Sequence, residues 1–236
     1  MQKNEEKIRV HNLTSESVKL GILLAIVGGF LDAYTFVGRG GVFANAQTGN
    51  VVLMGIEAAT GDWNQAVFHA LPILAFIIGV LVAEIIKKPS LRLYVPDSER
   101  AVLILETAVL FAIGFIPYNI PDIFVTVAVS FVASVQVCSF RKLVDSPYNT
   151  TMITGNLRSA TQEAYIAFTR KDYKSALRAI RFSTINLSFV SGAILGGLLT
   201  LFIGVKAVWG AVFVLIFSIV LFSVDEFKSI KTAVES

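Results

Sequence analysis

The tripeptide Thr48-Gly49-Asn50 opens a short, half-polar segment in an otherwise hydrophobic chain, and Thr154-Gly155-Asn156 opens a second segment of the same kind. Aligning the two tripeptides places Glu57 opposite Glu163. A small further shift extends the match to Ala75, Phe76, Gly79 and Ala83, opposite Ser188, Phe189, Gly192 and Gly196. The sequence therefore predicts an internal repeat. Matching interruptions of hydrophobic segments in two halves are typical of the binding region of membrane transporters.

The composition is that of an integral membrane protein. Hydrophobic residues make up 55% of the 236 residues, charged residues make up 16%, and the mean hydropathy is +0.71. Nearly all residues between 18 and 224 are needed to cross a bilayer, so we expect a single membrane domain over 1–236, with 18–118 and 121–224 as its two repeats. The net charge of +3 is small and the basic residues lie in short connections, which argues against nucleic-acid binding.

Several kinds of chemistry lack the residues that they need. Cys138 is the only cysteine, and His11 and His69 are far apart, so neither a disulfide framework nor a zinc site is expected. The sequence has no phosphate-binding glycine loop with its lysine and no Gly-x-Ser-x-Gly motif. We therefore expect no cofactor, no metal and no enzymatic activity. Residues 1–17 are too acidic for a signal peptide, so the first hydrophobic run is expected to stay as a membrane anchor.

Six hydrophobic runs are long enough to cross a bilayer, since one crossing takes roughly 20 residues. They cover residues 18–37, 67–86, 101–118, 121–140, 182–204 and 207–224. The two signature segments, 48–61 and 154–168, are only about 20 Å long as helices and carry polar side chains. They are expected either to enter the membrane and return as half-helices, or to cross it while facing protein.

The distribution of basic residues favours signature segments that enter the membrane and return to the same side. With six crossings, both termini and all the main basic connections fall on the cytoplasmic side, as the positive-inside rule requires. These basic residues are Lys3, Lys7, Arg9 and Lys19, then Lys87, Lys88, Arg92 and Arg100, then Arg141 and Lys142, then Arg170, Lys171, Lys174, Arg178 and Arg181, and finally Lys228 and Lys231. Eight crossings would put the loop 87–100 outside. We therefore predict an all-α protein with six spanning helices, two short half-polar helices and cytoplasmic termini.

Three crossings in each half is an odd number, so the two repeats are predicted to be inverted relative to each other. The signature segments then enter from opposite sides, and their Thr-Gly-Asn ends meet near the midplane. Broken backbone at that depth requires surrounding protein or a cavity. In the fifth crossing, the spacing of Gly192 and Gly196 predicts close helix packing.

Both signatures stand at helix starts, where backbone N–H groups lack partners and the helix dipole is positive. Two such ends directed at one point favour an anion or a hydrogen-bond acceptor. Gly49 and Gly155 permit close approach of a ligand. Hydroxyl and amide groups come from Thr48, Asn50, Thr154 and Asn156. The alternative is that these residues only cap their helices.

Asp32 is the candidate coupling or gating group, because an ionisable residue inside a crossing is costly and needs a partner. It could bind a proton or cation, or pair with Arg158. The alternative is a purely structural lock in which Asp32 holds Arg158 or backbone groups. Arg158 is itself a candidate, either as the partner of Asp32 or as a ligand to an anion. Gln136 is expected to make a hydrogen bond between helices.

The motifs also resemble a known family. The runs that carry the likeness are Gly28-Gly29-Phe30-Leu31-Asp32-Ala33-Tyr34-Thr35-Phe36, Gly41-Val42-Phe43-Ala44-Asn45-Ala46-Gln47-Thr48-Gly49-Asn50 and Met152-Ile153-Thr154-Gly155-Asn156-Leu157. They are similar to the YoaK-like family of bacterial multi-pass membrane proteins, a domain of unknown function, over residues 18–224. The resemblance implies an integral protein of the bacterial plasma membrane and implies no substrate or activity.

Two functions follow from these observations. The leading hypothesis is a transporter or channel, passive or proton-coupled, for a small polar or anionic solute bound between the two Thr-Gly-Asn ends. The alternative is a membrane scaffold or sensor in which the repeated signatures only cap and pack broken helices. A water-lined cavity at Asp32 favours the first, and a dry midplane favours the second.

Overall fold

A computed structural model of the chain describes residues 17–87, 98–144, 146–148, 150–151 and 153–235, with the backbone alone for 226–235. The long elements are the helices α1 (Val18–Gly38), α2 (Gln47–Thr60), α3 (Trp63–Ile86), α4 (Ser98–Ile113), α5 (Asp122–Ser139), α6 (Ile153–Arg170), α7 (Tyr173–Ile203) and α8 (Val208–Glu235). A short 3-10 turn, Gly204–Ala207, joins α7 to α8. Between α5 and α6, Lys142–Leu143 (β1) pairs antiparallel with Ser146–Pro147 (β2). The predicted all-α fold is confirmed.

Within the part of the chain that the structure describes, four stretches are long and apolar enough to cross a membrane. They are Val18–Gly38, Trp63–Ile86, Asp122–Ser139 and Tyr173–Asp225, the last of which covers α7, the 3-10 turn and most of α8. The sequence prediction of 101–118 as a crossing corresponds to α4, which has 16 residues and ends at Ile113. After Ile113 the chain continues in two tight turns, with Phe115 bonded to Ala112 and Ile116 to Ile113, up to Pro117. Of the basic residues used to orient the chain, Lys3, Lys7, Arg9, Lys88 and Arg92 lie outside the described residues.

Helices α1 and α7 pack closely and run parallel, because glycines let their backbones touch. A Cβ added at Gly196 would lie 2.5 Å from the Phe30 carbonyl oxygen, and one at Gly192 would collide with the Ile26 carbonyl. This is the close packing that the Gly192–Gly196 spacing predicts. Helices α3 and α5 meet in the same way, since a Cβ at Gly79 would lie 2.6 Å from the Phe131 carbonyl oxygen.

Helices α1 and α5 run antiparallel. At one end of the bundle, Arg39 after α1 contacts Asp122 at the start of α5. At the other end, Gly21 near the start of α1 lies beside Leu143 and Tyr148, which follow α5. We name these the Arg39 end and the Gly21 end. Helix α4 is antiparallel to α8. Trp209 Nε1 donates a hydrogen bond to the Phe111 carbonyl, and at the other end of the pair Arg100 lies over the ring of Phe222.

Arg39 is a fully buried charge with every part of its guanidinium engaged. Its exposed fraction is 0%. It donates to the Tyr34 hydroxyl (3.2 Å), to Asp122 Oδ1 (3.1 Å) and to the Ile116 carbonyl (2.8 Å). Tyr34 in turn donates to the Val205 carbonyl at 3.1 Å. One side chain therefore ties α1, the α4–α5 connection and, through Tyr34, the 3-10 turn together.

Replacing this arginine tests whether it holds the Arg39 end together. Arg39→Ala leaves Asp122, the buried Tyr34 hydroxyl and the half-buried Ile116 carbonyl without this donor, so we expect a loss of about 2–3 kcal/mol in the free energy of unfolding. Thermal unfolding in detergent measures it. Lys206→Ala, which removes an exposed charge at the same end, should change stability by less than about 0.5 kcal/mol. Equal melting temperatures for the two variants would contradict this role of Arg39.

The two glycines of α7 offer a matched pair. Gly192→Ala forces the Ile26 backbone to move and is expected to cost about 1–3 kcal/mol. Gly197→Ala adds the same methyl where its nearest neighbour, the Ala33 Cβ, would be 3.9 Å away. That substitution should be neutral or slightly stabilising, because alanine favours helix. The same unfolding assay separates them, and a Gly192→Ala protein as stable as Gly197→Ala would show that α1 and α7 are not in backbone contact.

Candidate functional site

The loop between α1 and α2 folds back to the middle of α1. Asn45 donates from Nδ2 to the Gly28 carbonyl at 3.1 Å, and Gly28 is the central residue of the 21-residue helix Val18–Gly38. The Asn45 backbone N–H donates to Asp32 Oδ1 at 2.6 Å, and that of Ala46 donates to the same oxygen at 3.4 Å. Helix α2 therefore begins beside the midpoint of α1.

The segment before α6 reaches the same place from the other end. A Cβ added at Gly28 would lie 2.7 Å from the Thr151 methyl carbon and 3.5 Å from the Thr150 carbonyl oxygen. Thr150 and Thr151 follow the β1–β2 hairpin, whose Leu143 lies at the Gly21 end. The approaches to the two signature helices thus meet at Gly28.

From this point the two helices lead to opposite ends. Helix α2 is followed after two residues by α3, whose Phe68 ring would lie 2.8 Å from a Cβ on Gly40, at the Arg39 end. Helix α6 packs against α7, with Glu163 Oε1 at 3.8 Å from Arg178 Nη1. Ala160 joins a hydrophobic cluster with Leu143 and Tyr148, at the Gly21 end.

Asp32 holds the residues that lead into α2, although it belongs to another helix. Ala46, the residue before α2, makes no side-chain cap. The N–H groups of Gln47 and Gly49 donate to the carbonyls of Asn45 and Ala46. The buried Asp32 carboxyl group accepts the N–H groups of Asn45 and Ala46 themselves. The contact that Asp32 makes is therefore the one with the backbone, the structural alternative.

Arg158, one of the partners considered for Asp32, does not pair with it. Arg158 is exposed on α6 and makes no ion pair with Asp32 among the described residues. Arg158 follows the second Thr-Gly-Asn tripeptide by only two residues. It nevertheless lies on the outer side of α6, whereas Asn156 is buried.

In the first signature, Asn50 and Gly49 hold the preceding loop. The Asn50 amide accepts from the Phe43 N–H (2.9 Å) and donates to the Phe43 carbonyl (2.8 Å) and to Gln47 Oε1 (2.9 Å). A Cβ at Gly49 would lie 2.8 Å from the Phe43 ring, which stacks on Phe36 with centroids 4.6 Å apart. Thr48 is exposed.

The second signature is more open. Asn156 is buried and has a bonding partner, as Asn50 does. Thr154 and Gly155 are exposed, and a Cβ added at Gly155 would meet no described atom within 4 Å. Packing therefore explains the glycine of the first signature but not that of the second.

Three buried polar side chains near this region lack partners for some of their atoms. Within the described part of the chain, Asn45 Oδ1, Thr150 Oγ1 and both amide atoms of Asn186 accept or donate no hydrogen bond. Asn45 and Thr150 both belong to the segments that meet at Gly28. Buried polar atoms are normally satisfied by protein, water or a bound molecule. Sequence reasoning missed Asn45 and Thr151, although both stand three residues before a signature threonine.

A separate polar pair joins α4 and α5. Gln136 Nε2 donates to Glu106 Oε2 at 3.0 Å, and both side chains are buried. The predicted interhelical hydrogen bond of Gln136 is confirmed. Among the described residues, no group of three or more His, Cys, Asp or Glu side chains is arranged to hold a metal ion.

The grooves with fully described linings are apolar and face outward. One lies between α3 and α5 beside Ala75, Phe124 and Phe131, and another lies between α4 and α8 beside Ile104, Phe111 and Ile216. Neither is lined by Asp32. Such surfaces suit lipid chains and carry no candidate chemistry.

Comparison with known proteins agrees with this picture of a multi-pass membrane protein without an assigned activity. The family model described as "Protein of unknown function (DUF1275)" matches residues 20–221. The chain is similar to the UPF0700 transmembrane protein YoaK of Bacillus subtilis (strain 168), with 28% identity over 166 residues, 66% of this chain and 71% of YoaK. No solved structure matches. The chain therefore belongs to the DUF1275 family of proteins of unknown function.

Proposed function

We propose that this protein is a transporter or channel of the bacterial plasma membrane for a small polar or anionic solute. The solute path crosses the midpoint of α1, between the starts of α2 and α6. The chain crosses the bilayer six times, as two inverted repeats, with both termini in the cytoplasm. The observation that carries the proposal is the pair of buried polar atoms without a described partner, Asn45 Oδ1 and Thr150 Oγ1, in the two segments that meet at Gly28.

The packing of the helices supports an inverted repeat. If α1, α2, α3 and α4 correspond to α5, α6, α7 and α8, each major helix contact has a counterpart. The α1–α7 contact corresponds to α5–α3, α2–α3 to α6–α7, and α1–α8 to α5–α4. The glycine contacts follow the same rule, because Gly192 meets the Ile26 carbonyl and Gly79 meets the Phe131 carbonyl. Helices α1 and α5, which correspond in this alignment, are antiparallel. The rotation that superimposes one half on the other would therefore also invert its direction across the membrane.

The course of the signature segments supports six crossings. The chain leaves α1 at the Arg39 end, descends to Gly28 and returns to the Arg39 end through α2 before α3 begins. The second segment makes the corresponding excursion from the Gly21 end through α6. Each excursion adds no crossing. Irregular backbone at such depth is tolerated where protein or a cavity satisfies it.

Protonation of Asp32 controls whether the N–H groups before α2 can bind the solute. While ionised, the Asp32 carboxylate accepts the N–H groups of Asn45 and Ala46. An external anion cannot then bind these N–H groups, because they are occupied and because the carboxylate repels it. Protonation of Asp32 weakens both hydrogen bonds and frees positive N–H groups for an acceptor on the solute. A proton and an anionic or polar solute then enter together.

The remaining candidate residues divide between support and contact. Asn50, Gly49 and Asn156 set the shape of the two helix starts. Thr154 and Gly155 present an open surface at the start of α6, with Thr48 exposed on α2. Asn45 Oδ1 and Thr150 Oγ1 offer unengaged polar atoms at Gly28. Arg158, exposed near the start of α6, attracts an anion toward this region.

Two observations favour the second function, a membrane scaffold or sensor without transport. The Asn50 amide is engaged by Phe43 and Gln47, and the Gly49 position is explained by the Phe43 ring. Caps of this kind need no solute. The two functions differ in whether water reaches Gly28.

Cysteine accessibility at the midplane decides between them. In a Cys138→Ser background, we expect Thr150→Cys and Thr154→Cys to react with a small charged methanethiosulfonate reagent, because thiolates form only where water enters. Labelling is read by mass spectrometry on the folded protein in proteoliposomes. Leu187→Cys is the control, since Leu187 is exposed on the lipid-facing surface of α7 and should react slowly. Protection of both test cysteines until the protein is denatured would mean a dry midplane and would favour the scaffold.

A further inference from the structure

The turn between α6 and α7 extends beyond the apolar part of the bundle. Helix α7 has 31 residues, roughly 46 Å of helix, whereas the hydrocarbon core of a bilayer is about 30 Å thick. The apolar run begins near Phe182, so residues 173–181 lie at the level of the lipid headgroups. The end of α6 lies beside them, as the 3.8 Å approach of Glu163 to Arg178 shows.

Three large aromatic side chains are exposed on this turn. Phe168 is 87% exposed, Tyr173 is 74% exposed and Tyr165 is 69% exposed. Tyr165 and Phe168 are three residues apart and so share one face of α6. Aromatic rings of this kind concentrate at the boundary between membrane and water, where one part of the ring is apolar and the surroundings are partly wet.

Basic residues lie next to these aromatic residues in the sequence. Arg170, Lys171 and Lys174 are exposed and make no ion pair with a described residue, and Arg178 and Arg181 lie one to two turns further along α7. Asp172 is used elsewhere: the Ser175 hydroxyl, with the N–H groups of Lys174 and Ser175, holds the pKa of this carboxyl below its ordinary value at the start of α7. Glu163 is near Arg178. Positive charge therefore predominates on this surface.

The opposite end of the bundle has no such surface among its described residues. Arg39 is buried and bonded, which leaves Lys206 as the exposed basic side chain there. The α6–α7 turn therefore combines exposed basic side chains with exposed aromatic rings at one level of the membrane. Packing of the helices does not require these exposed side chains.

We infer that the α6–α7 turn, residues 165–174, is a binding surface for the headgroups of anionic phospholipids. Arg170, Lys171 and Lys174 attract the phosphate groups, and the rings of Phe168 and Tyr173 insert among the adjacent acyl chains and glycerol groups. This inference does not depend on transport, since a scaffold would present the same surface.

The test compares bound lipids by native mass spectrometry of the full-length protein. The probe is dioleoyl phosphatidylglycerol, and dioleoyl phosphatidylcholine supplies identical chains with a neutral headgroup. We expect the wild-type protein to retain the anionic lipid preferentially. The triple variant Arg170→Gln, Lys171→Gln, Lys174→Gln should lower that retention about tenfold or more, because each basic residue near the surface contributes separately.

A matched control removes three charges elsewhere. Lys19→Gln, Lys87→Gln, Lys206→Gln has the same net charge as the test variant. Lys206 lies at the opposite end of the bundle and Lys87 is already paired with Glu84 at 2.6 Å, so we expect a clearly smaller loss of retention than in the test variant. Equal losses in the two triple variants, or no preference in the wild type, would overturn the inference. Phe168→Ser, which leaves the charges in place, should weaken binding of both lipids in similar proportion. Unchanged binding in that variant would show that the ring does not enter the lipid layer.

Discussion

The constraint on which the fold depends is that backbone N–H groups cannot be left without partners in the middle of a membrane. The start of α2 lies beside the midpoint of α1, which is a candidate membrane span, and Ala46 makes no side-chain cap. The carboxylate of Asp32, from the neighbouring helix, accepts the N–H groups of Asn45 and Ala46 instead. This acceptor and the Gly28 carbonyl, which accepts from Asn45 Nδ2, together hold the loop before α2 at the level of Gly28.

Small residues make this arrangement possible. Gly28 leaves room for the Thr151 methyl group and the Thr150 carbonyl, while its own carbonyl accepts from Asn45. Its neighbour Gly29 lies against the Phe189 carbonyl of α7. One helix therefore contacts both signature approaches and a long partner helix within two residues. The buried Arg39 network then closes one end of the bundle, whereas the Glu84–Arg141 pair at the other end is long, at 4.0 Å, and exposed.

The sequence predicts the helices better than their contacts. Hydropathy located α1, α3, α5, α7 and α8, since apolar length is a property of the sequence itself, and the recurrence of Thr-Gly-Asn located the starts of α2 and α6. Arg158 was one of several partners considered for Asp32, and no ion pair forms between them, because opposite charge alone does not show which face of α6 a side chain occupies. Asn45 was missed as the contact of Asp32, since a loop that returns to its own helix leaves no periodic pattern. The burial of Arg39 was also missed. A basic residue after a crossing normally indicates a solvated loop, and its partners Tyr34, Ile116 and Asp122 are far apart in the chain.

The central claim is that α2 and α6 return to opposite ends of the bundle without crossing it. Thr60 and Thr169 are exposed threonines near the ends of these two helices, each with its hydroxyl bonded to its own helix. The most direct measurement is the labelling of Thr60→Cys and Thr169→Cys, each in a Cys138→Ser background, with a membrane-impermeant maleimide on intact cells and after lysis. Six crossings predict that Thr60→Cys is labelled in intact cells and Thr169→Cys only after lysis. Labelling of both cysteines from the same side would mean that α2 and α6 span the membrane, and would contradict the account.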